Sequence, residues 1–170
     1  SSPVMAAQMI LSSSEASGAP SGYTSFDLFA DVDTNMGFME LRVSTPTPGD
    51  IYQNASAPDN ANELFASYVT IGYPAAGEQP ANTSIWGGAG DLGVVTEVTF
   101  DSQEIDITWS PGGGGNTGAG TFQVARITIK DLAVFSYTLM GWQTGGWDAV
   151  TYSYTRAMPG DVNADGLVAG

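Results

Sequence analysis

Cysteine and histidine are absent from all 170 residues. Without cysteine there is no disulfide scaffold, no thiol nucleophile and no thiolate ligand for zinc or an iron-sulfur cluster. Without histidine, Ser-His-Asp triads and the usual zinc constellations disappear as well. Basic residues are scarce: Lys plus Arg number 4 against 18 Asp plus Glu, a formal charge of -14. A field of that sign repels polyanions and attracts divalent cations, so no nucleic acid is expected among the partners. Long apolar runs are missing too. The N-terminal VMAAQMIL covers eight residues, far short of a bilayer span, so no membrane insertion is expected. With no positively charged segment ahead of that run, it does not read as an intact signal peptide. A chain opening on SSPVMAAQ reads as already processed, and secretion to the extracellular space or cell surface is the expectation.

What is present is strand signal. No stretch keeps a 3.6-residue apolar period long enough for a helix, whereas period-two alternation recurs. In FDLFADV, Phe26, Leu28, Ala30 and Val32 fall on one face. In FMELRVS, Met39, Leu41 and Val43 point inward with Glu40 and Arg42 outward. EIDITW places Ile105, Ile107 and Trp109 on one side, and ASYVTIGY, VVTEVTF, FQVARITI, AVFSYTLM and WDAVTYSYT read alike. With VMAAQMIL these make nine strands, separated by turn formers such as TPTPGD and APDNAN. An all-β, two-sheet β-sandwich of jelly-roll or immunoglobulin type is predicted. NANELFAS allows a helical turn or two. SPGGGGNTGAG lacks the lysine and spacing of a phosphate-binding loop and reads as a flexible hairpin connection.

The predicted organisation is a strand and flexible linker over 1–22, a sandwich over 23–157 and a tail over 158–170. The first strand is apolar on both faces: Val4, Ala6 and Ile10 on one, Met5, Ala7, Met9 and Leu11 on the other. Such a strand is buried either in its own sheet or in a neighbouring subunit by β-augmentation. In the second case Val4, Met5, Ala7, Met9, Ile10 and Leu11 form the subunit interface.

The tail GDVNADGLVAG carries Asp161, Asn163, Asp165 and Gly166 at the spacing of the first half of a calcium loop, with the Leu167 carbonyl next in order. Calcium is the one cofactor expected. The loop lacks a side-chain oxygen at Ala169, so it reads either as an Asx-rich turn or as a half-site completed by another molecule. DVDTNMG offers a weaker set in Asp31, Asp33 and Asn35, with Met36 where glycine belongs. These residues also suit a hairpin turn before Phe38. Asp101 and Glu104 form a carboxylate pair whose simpler role is hairpin polarity.

MPGDVNADGLVAG resembles the start of a type I dockerin repeat. YTSFDLFADV, MGFMELRVS and GTFQVARITI are similar to segments of the cohesin-like sandwiches that precede such repeats in secreted planctomycete-type bacterial surface proteins. The resemblance implies an extracellular, non-catalytic assembly protein. Trp142 and Trp147, near glycines, would suit stacking on a glycan, or packing in a core or interface. Asn54 and Asn82 head N-x-[ST] acceptor triplets for N-glycosylation. The leading expectation is a structural subunit, not an enzyme, forming a homo-polymeric filament or surface layer by strand exchange, with calcium as a clamp. The alternatives are a cohesin/dockerin-type recognition module and a carbohydrate-binding module.

Overall fold

The computed structural model describes residues 9–53, 65–71, 92–111, 117–144 and 148–157. Among them are nine strands: β1 (Ile10–Ala16), β2 (Tyr23–Val32), β3 (Met36–Ser44), β4 (Tyr68–Val69), β5 (Leu92–Phe100), β6 (Glu104–Pro111), β7 (Gly120–Lys130), β8 (Phe135–Gln143) and β9 (Val150–Arg156). They form a four-stranded sheet in the order β1-β2-β7-β4 and a five-stranded sheet in the order β5-β6-β3-β8-β9. All ladders are antiparallel. One apolar cluster draws side chains from both sheets, including Leu28, Ile127, Leu41, Ile107 and Leu139, so the fold is a two-sheet β-sandwich. No helix among the described residues is long and apolar enough to cross a membrane.

Alternation sets the inner face as the sequence predicts. Met39, Leu41 and Val43 of β3 are buried, as are Ile105, Ile107 and Trp109 of β6. Register then aligns them in rows, with Leu41 opposite both Ile107 and Leu139. On β2, Leu28, Ala30 and Val32 are buried and Phe26 packs against the cluster.

Three expectations are corrected. Residues 12–16, read as flexible linker, are strand: Ser12, Ser13 and Ser14 pair with Phe29, Leu28 and Asp27. Small polar residues carry little strand signal of their own, and here the β2 partner decides. Secondly, SPGGGGNTGAG is not a hairpin connection, because the strands it joins, β6 and β7, belong to different sheets. Thirdly, Asp33 and Asn35 do not shape a hairpin turn, because β2 and β3 also lie in different sheets and the chain crosses the sandwich between them. The helical turn expected at 60–67 falls largely outside the described residues, and Phe65–Ser67 are non-helical.

The side of β7 that the short β4 pairs is lined further by neighbouring chain. The N–H groups of Tyr52 and Thr70 donate to the carbonyls of Thr128 and Val124, and Lys130 N–H donates to Asp50 O. Covering an edge in this way removes a template for unwanted pairing. Between β1 and β9 the two sheets approach through side chains, with the Ser13 and Tyr152 hydroxyls 3.0 Å apart. Beneath that contact Tyr137 is 1% exposed, and its hydroxyl has no hydrogen-bond partner. Burial holds the phenol above its ordinary value; Ser13 opposes that shift, and Tyr152 and Tyr154 add to it. The folded state therefore keeps the proton after the unfolded chain has lost it, and stability falls as pH rises past about 10. Tyr137→Phe is expected to flatten that alkaline loss. At neutral pH it should leave stability unchanged or raise it by about 1 kcal/mol, since an unpaired buried hydroxyl is removed. Urea titrations at pH 7 and pH 10.5 check both.

Candidate functional site

The outer face of the five-stranded sheet is built by the alternate residues that the core does not use. Antiparallel register lines them up in rows across β6, β3, β8 and β9. One row holds Glu104, Ser44, Ser136 and Thr155; the next holds Asp106, Arg42, Thr138 and Ser153; the third holds Thr108, Glu40, Met140 and Thr151. Arg42 stands at the centre. Its Nε lies 2.7 Å from Glu40 Oε1 and 3.8 Å from Asp106 Oδ1, and its side chain is 67% exposed. The Glu40 and Asp106 side chains are only 19% and 27% exposed, and partly screened pairs of this kind add little stability. Glu40, Arg42, Thr138 and Met140 line a hollow of about 220 Å3. A second hollow of about 260 Å3 is lined by Arg42, Ser44, Glu104, Asp106 and Ser136 among others.

The apolar end of this face is made by a β-bulge. Met36 pairs with Gln143 and Met39 with Gly141, so two residues, Gly37 and Phe38, stand opposite Trp142 alone. Phe38 faces outward in phase with Glu40 and Arg42, and its ring meets the Trp142 indole at 5.2 Å between centroids and 48° between planes. A Cβ on Gly37 would come within 2.5 Å of the Trp142 carbonyl oxygen, so only glycine fits this close approach. Gly37→Ala is expected to cost about 1–3 kcal/mol by overpacking. Because the clash falls on Trp142 itself, near-UV circular dichroism should change together with the urea midpoint.

The face thus grades from apolar (Phe38, Trp142, Met140) to acidic (Glu40, Asp106, Glu104), with one arginine between. Chemically it can stack or bury an apolar group and hold a cationic one about 7–20 Å away, taking about 3.4 Å per strand residue. Sequence reasoning singled out Trp142 and not Phe38. The signal was available, because Phe38 is in phase with Glu40 and Arg42 on the outward side of FMELRVS.

The other sequence-predicted residues are distributed as follows. Met9 and Leu11 are buried in the chain's own core at 3% and 8% exposure, and only Ile10, at 64%, faces out. In this arrangement β1 pairs with β2 of the same chain and turns both side chains inward. Val4, Met5 and Ala7 lie outside the described residues, as do Asn54, Asn82, Trp147 and the whole tail with Asp161, Asn163, Asp165 and Leu167.

Asp31, Asp33 and Asn35 serve a loop junction. Asp31 is held extended in β2, Asp33 N–H donates to Gln143 Oε1 at 2.9 Å, and Asn35 Oδ1 accepts the Gly118 N–H at 2.8 Å. Asn35 O also accepts the Thr144 N–H. Among the described residues no three His, Cys, Asp or Glu are grouped to hold a metal. Asp101 Oδ1 accepts the N–H groups of Gln103 and Glu104 at 2.8 Å each, which makes it the turn residue of the β5–β6 hairpin.

No family model matches the chain, and no curated protein matches it. Two solved structures are similar at a distance. One, titled as the complete manganese lipoxygenase of Gaeumannomyces graminis with part of zonadhesin of Komagataella pastoris, shares 11% identity at a TM-score of 0.45, covering 90% of this chain and 47% of that one. The chain spans about half the length of that structure's chain. The other, ACE19, the collagen-binding subdomain of the Enterococcus faecalis surface protein ACE, shares 11% identity at a TM-score of 0.39, covering 91% and 97%.

Proposed function

We propose that this chain is an extracellular, non-catalytic recognition module that holds a cationic protein segment on the outer face of its five-stranded sheet. The observation that carries the reading is the juxtaposition on one sheet face of the tilted Phe38–Trp142 ring pair and the Glu40, Asp106 and Glu104 carboxylates. Exposed aromatic anchors supply most of the energy at protein interfaces, and a surrounding field of one sign supplies steering and partner choice. The net charge of -14 extends that field over the molecule. An extracellular setting is supported by the dockerin-like tail, which would tether the module in a larger assembly.

The test uses a synthetic amphipathic Lys/Leu helical peptide and, separately, soluble neutral glucan oligomers. The peptide is expected to bind at low salt and to weaken as ionic strength shortens the Debye length toward 8 Å. Trp142→Ala should lower its affinity about tenfold, equal to about 1.4 kcal/mol. Glucan binding that depends on Trp142 while the peptide fails would replace this reading with a carbohydrate-binding one.

A further inference from the structure

β1 is a lightly anchored strand. Among the described residues it is an edge strand hydrogen-bonded only to β2, and it and the residue before it bury just Met9 and Leu11. Ser12, Ser14 and Glu15 are exposed, and Ser13 and Ala16 half-buried. β9, the edge of the other sheet, runs beside it. Met9 lies against Gly141, which pairs with Val150. Ser13 meets Tyr152, and Phe26, the partner of Glu15, meets Tyr154. The order rises along both strands, so β1 and β9 point the same way, and among the described residues no backbone ladder joins them. The connection to β2, residues 17–22, contains two glycines in the left-handed region, Gly18 at φ 94° and Gly22 at φ 86°, and both can also adopt extended backbone.

From this we infer that β1 is an exchangeable strand, which leaves its own β2 edge and takes the same place on a second copy of the chain. The occupant is specified by the slot. Leu11 sits opposite Ala30, and the Met9 sulfur lies 3.1 Å from where a Gly141 Cβ would stand, packed beside Met39. A glycine opposite a methionine leaves room for this strand, and a second copy brings the identical one in the identical register, Ile10 to Asp31 through Ala16 to Ser25. Closed and exchanged forms then make the same strand contacts, and the balance is set by the 17–22 hinge and by protein concentration. Because β1 lies in the four-stranded sheet, exchange leaves the outer face of the five-stranded sheet unchanged, and the inference stands or falls apart from the recognition reading.

Two experiments on the full chain test it. Deleting residues 17–22 leaves no loop for β1 to fold back, so light scattering coupled to size exclusion should find a dimer or larger species; a folded monomer would overturn the inference. Separately, chains carrying Ser12→Cys and chains carrying Phe29→Cys, positions that pair across β1 and β2, are refolded together at high concentration and oxidised. Disulfide-linked dimers containing one chain of each kind, mapped by mass spectrometry, are expected. Recovery of monomers alone, or of like-with-like dimers alone, would show that β1 does not exchange.

Discussion

Trp109→Ala is expected to lower the stability of the sandwich by about 3–5 kcal/mol, a large part of the roughly 5–15 kcal/mol that a domain of this kind has in total. Trp109 is fully buried on β6 and pairs with Met39 of β3. Its indole Nε1–H donates to the Thr70 carbonyl at 2.9 Å, which ties the five-stranded sheet to the chain leaving β4 of the other sheet. Alanine would open a cavity and also orphan a buried carbonyl. Trp109→Phe restores most of the volume without the donor, so it isolates the hydrogen bond and should cost less, by the difference of the cavity term. Urea unfolding of the three proteins separates the two contributions. A Phe variant as damaged as the Ala variant would place the larger share on the Thr70 tie.

The second large effect is expected at Arg126. Its Nε and Nη2 donate to the two carboxylate oxygens of Asp27 at 2.7 and 3.0 Å, and both side chains are 13% exposed. The Phe65 and Tyr68 rings lie 4.9 and 5.8 Å from the guanidinium carbon, and Gln123 Nε2 donates to the same Asp27 oxygen. Burial alone pulls the guanidinium value down, but the Asp27 hydrogen bond and the Tyr68 and Asp27 charges outweigh it, and the net shift is upward. Arg126→Ala leaves a sequestered carboxylate without its countercharge and is expected to cost about 3–5 kcal/mol. Removing both charges with Arg126→Met and Asp27→Leu together should recover most of that loss, because desolvation is relieved along with the attraction. A double variant as unstable as Arg126→Ala would mean that the pair itself, and not the uncompensated charge, carries the energy.

These two sites mark the boundary of what the sequence discloses. Trp109 is legible: EIDITW alternates cleanly, and a large aromatic in phase with Ile105 and Ile107 belongs to the core. Arg126 and Asp27 stand 99 positions apart, and nothing local ties one to the other; only the β2–β7 register does. The same limit explains β1, where three serines and a glutamate become strand because β2 offers an edge. It also explains why the loops after β2 and β6 read as hairpins. Turn residues announce a reversal but not whether the next strand returns to the same sheet or crosses to the other. At the candidate site, Glu40, Arg42 and Trp142 are legible as outward positions. The Phe38–Trp142 contact is not, because it depends on a bulge at Gly37 that shifts register by one residue.

The most direct measurement of the central proposal is a backbone amide chemical-shift titration of the folded protein with the Lys/Leu helical peptide at 0.15 M salt. The account predicts that the first and largest shifts fall on Phe38, Glu40, Arg42, Asp106, Met140 and Trp142, and that Trp142→Ala suppresses them. Shifts spread evenly over acidic positions of both sheets, unchanged in the Trp142→Ala protein, would contradict a recognition face and leave only the general attraction of a -14 chain for a cation.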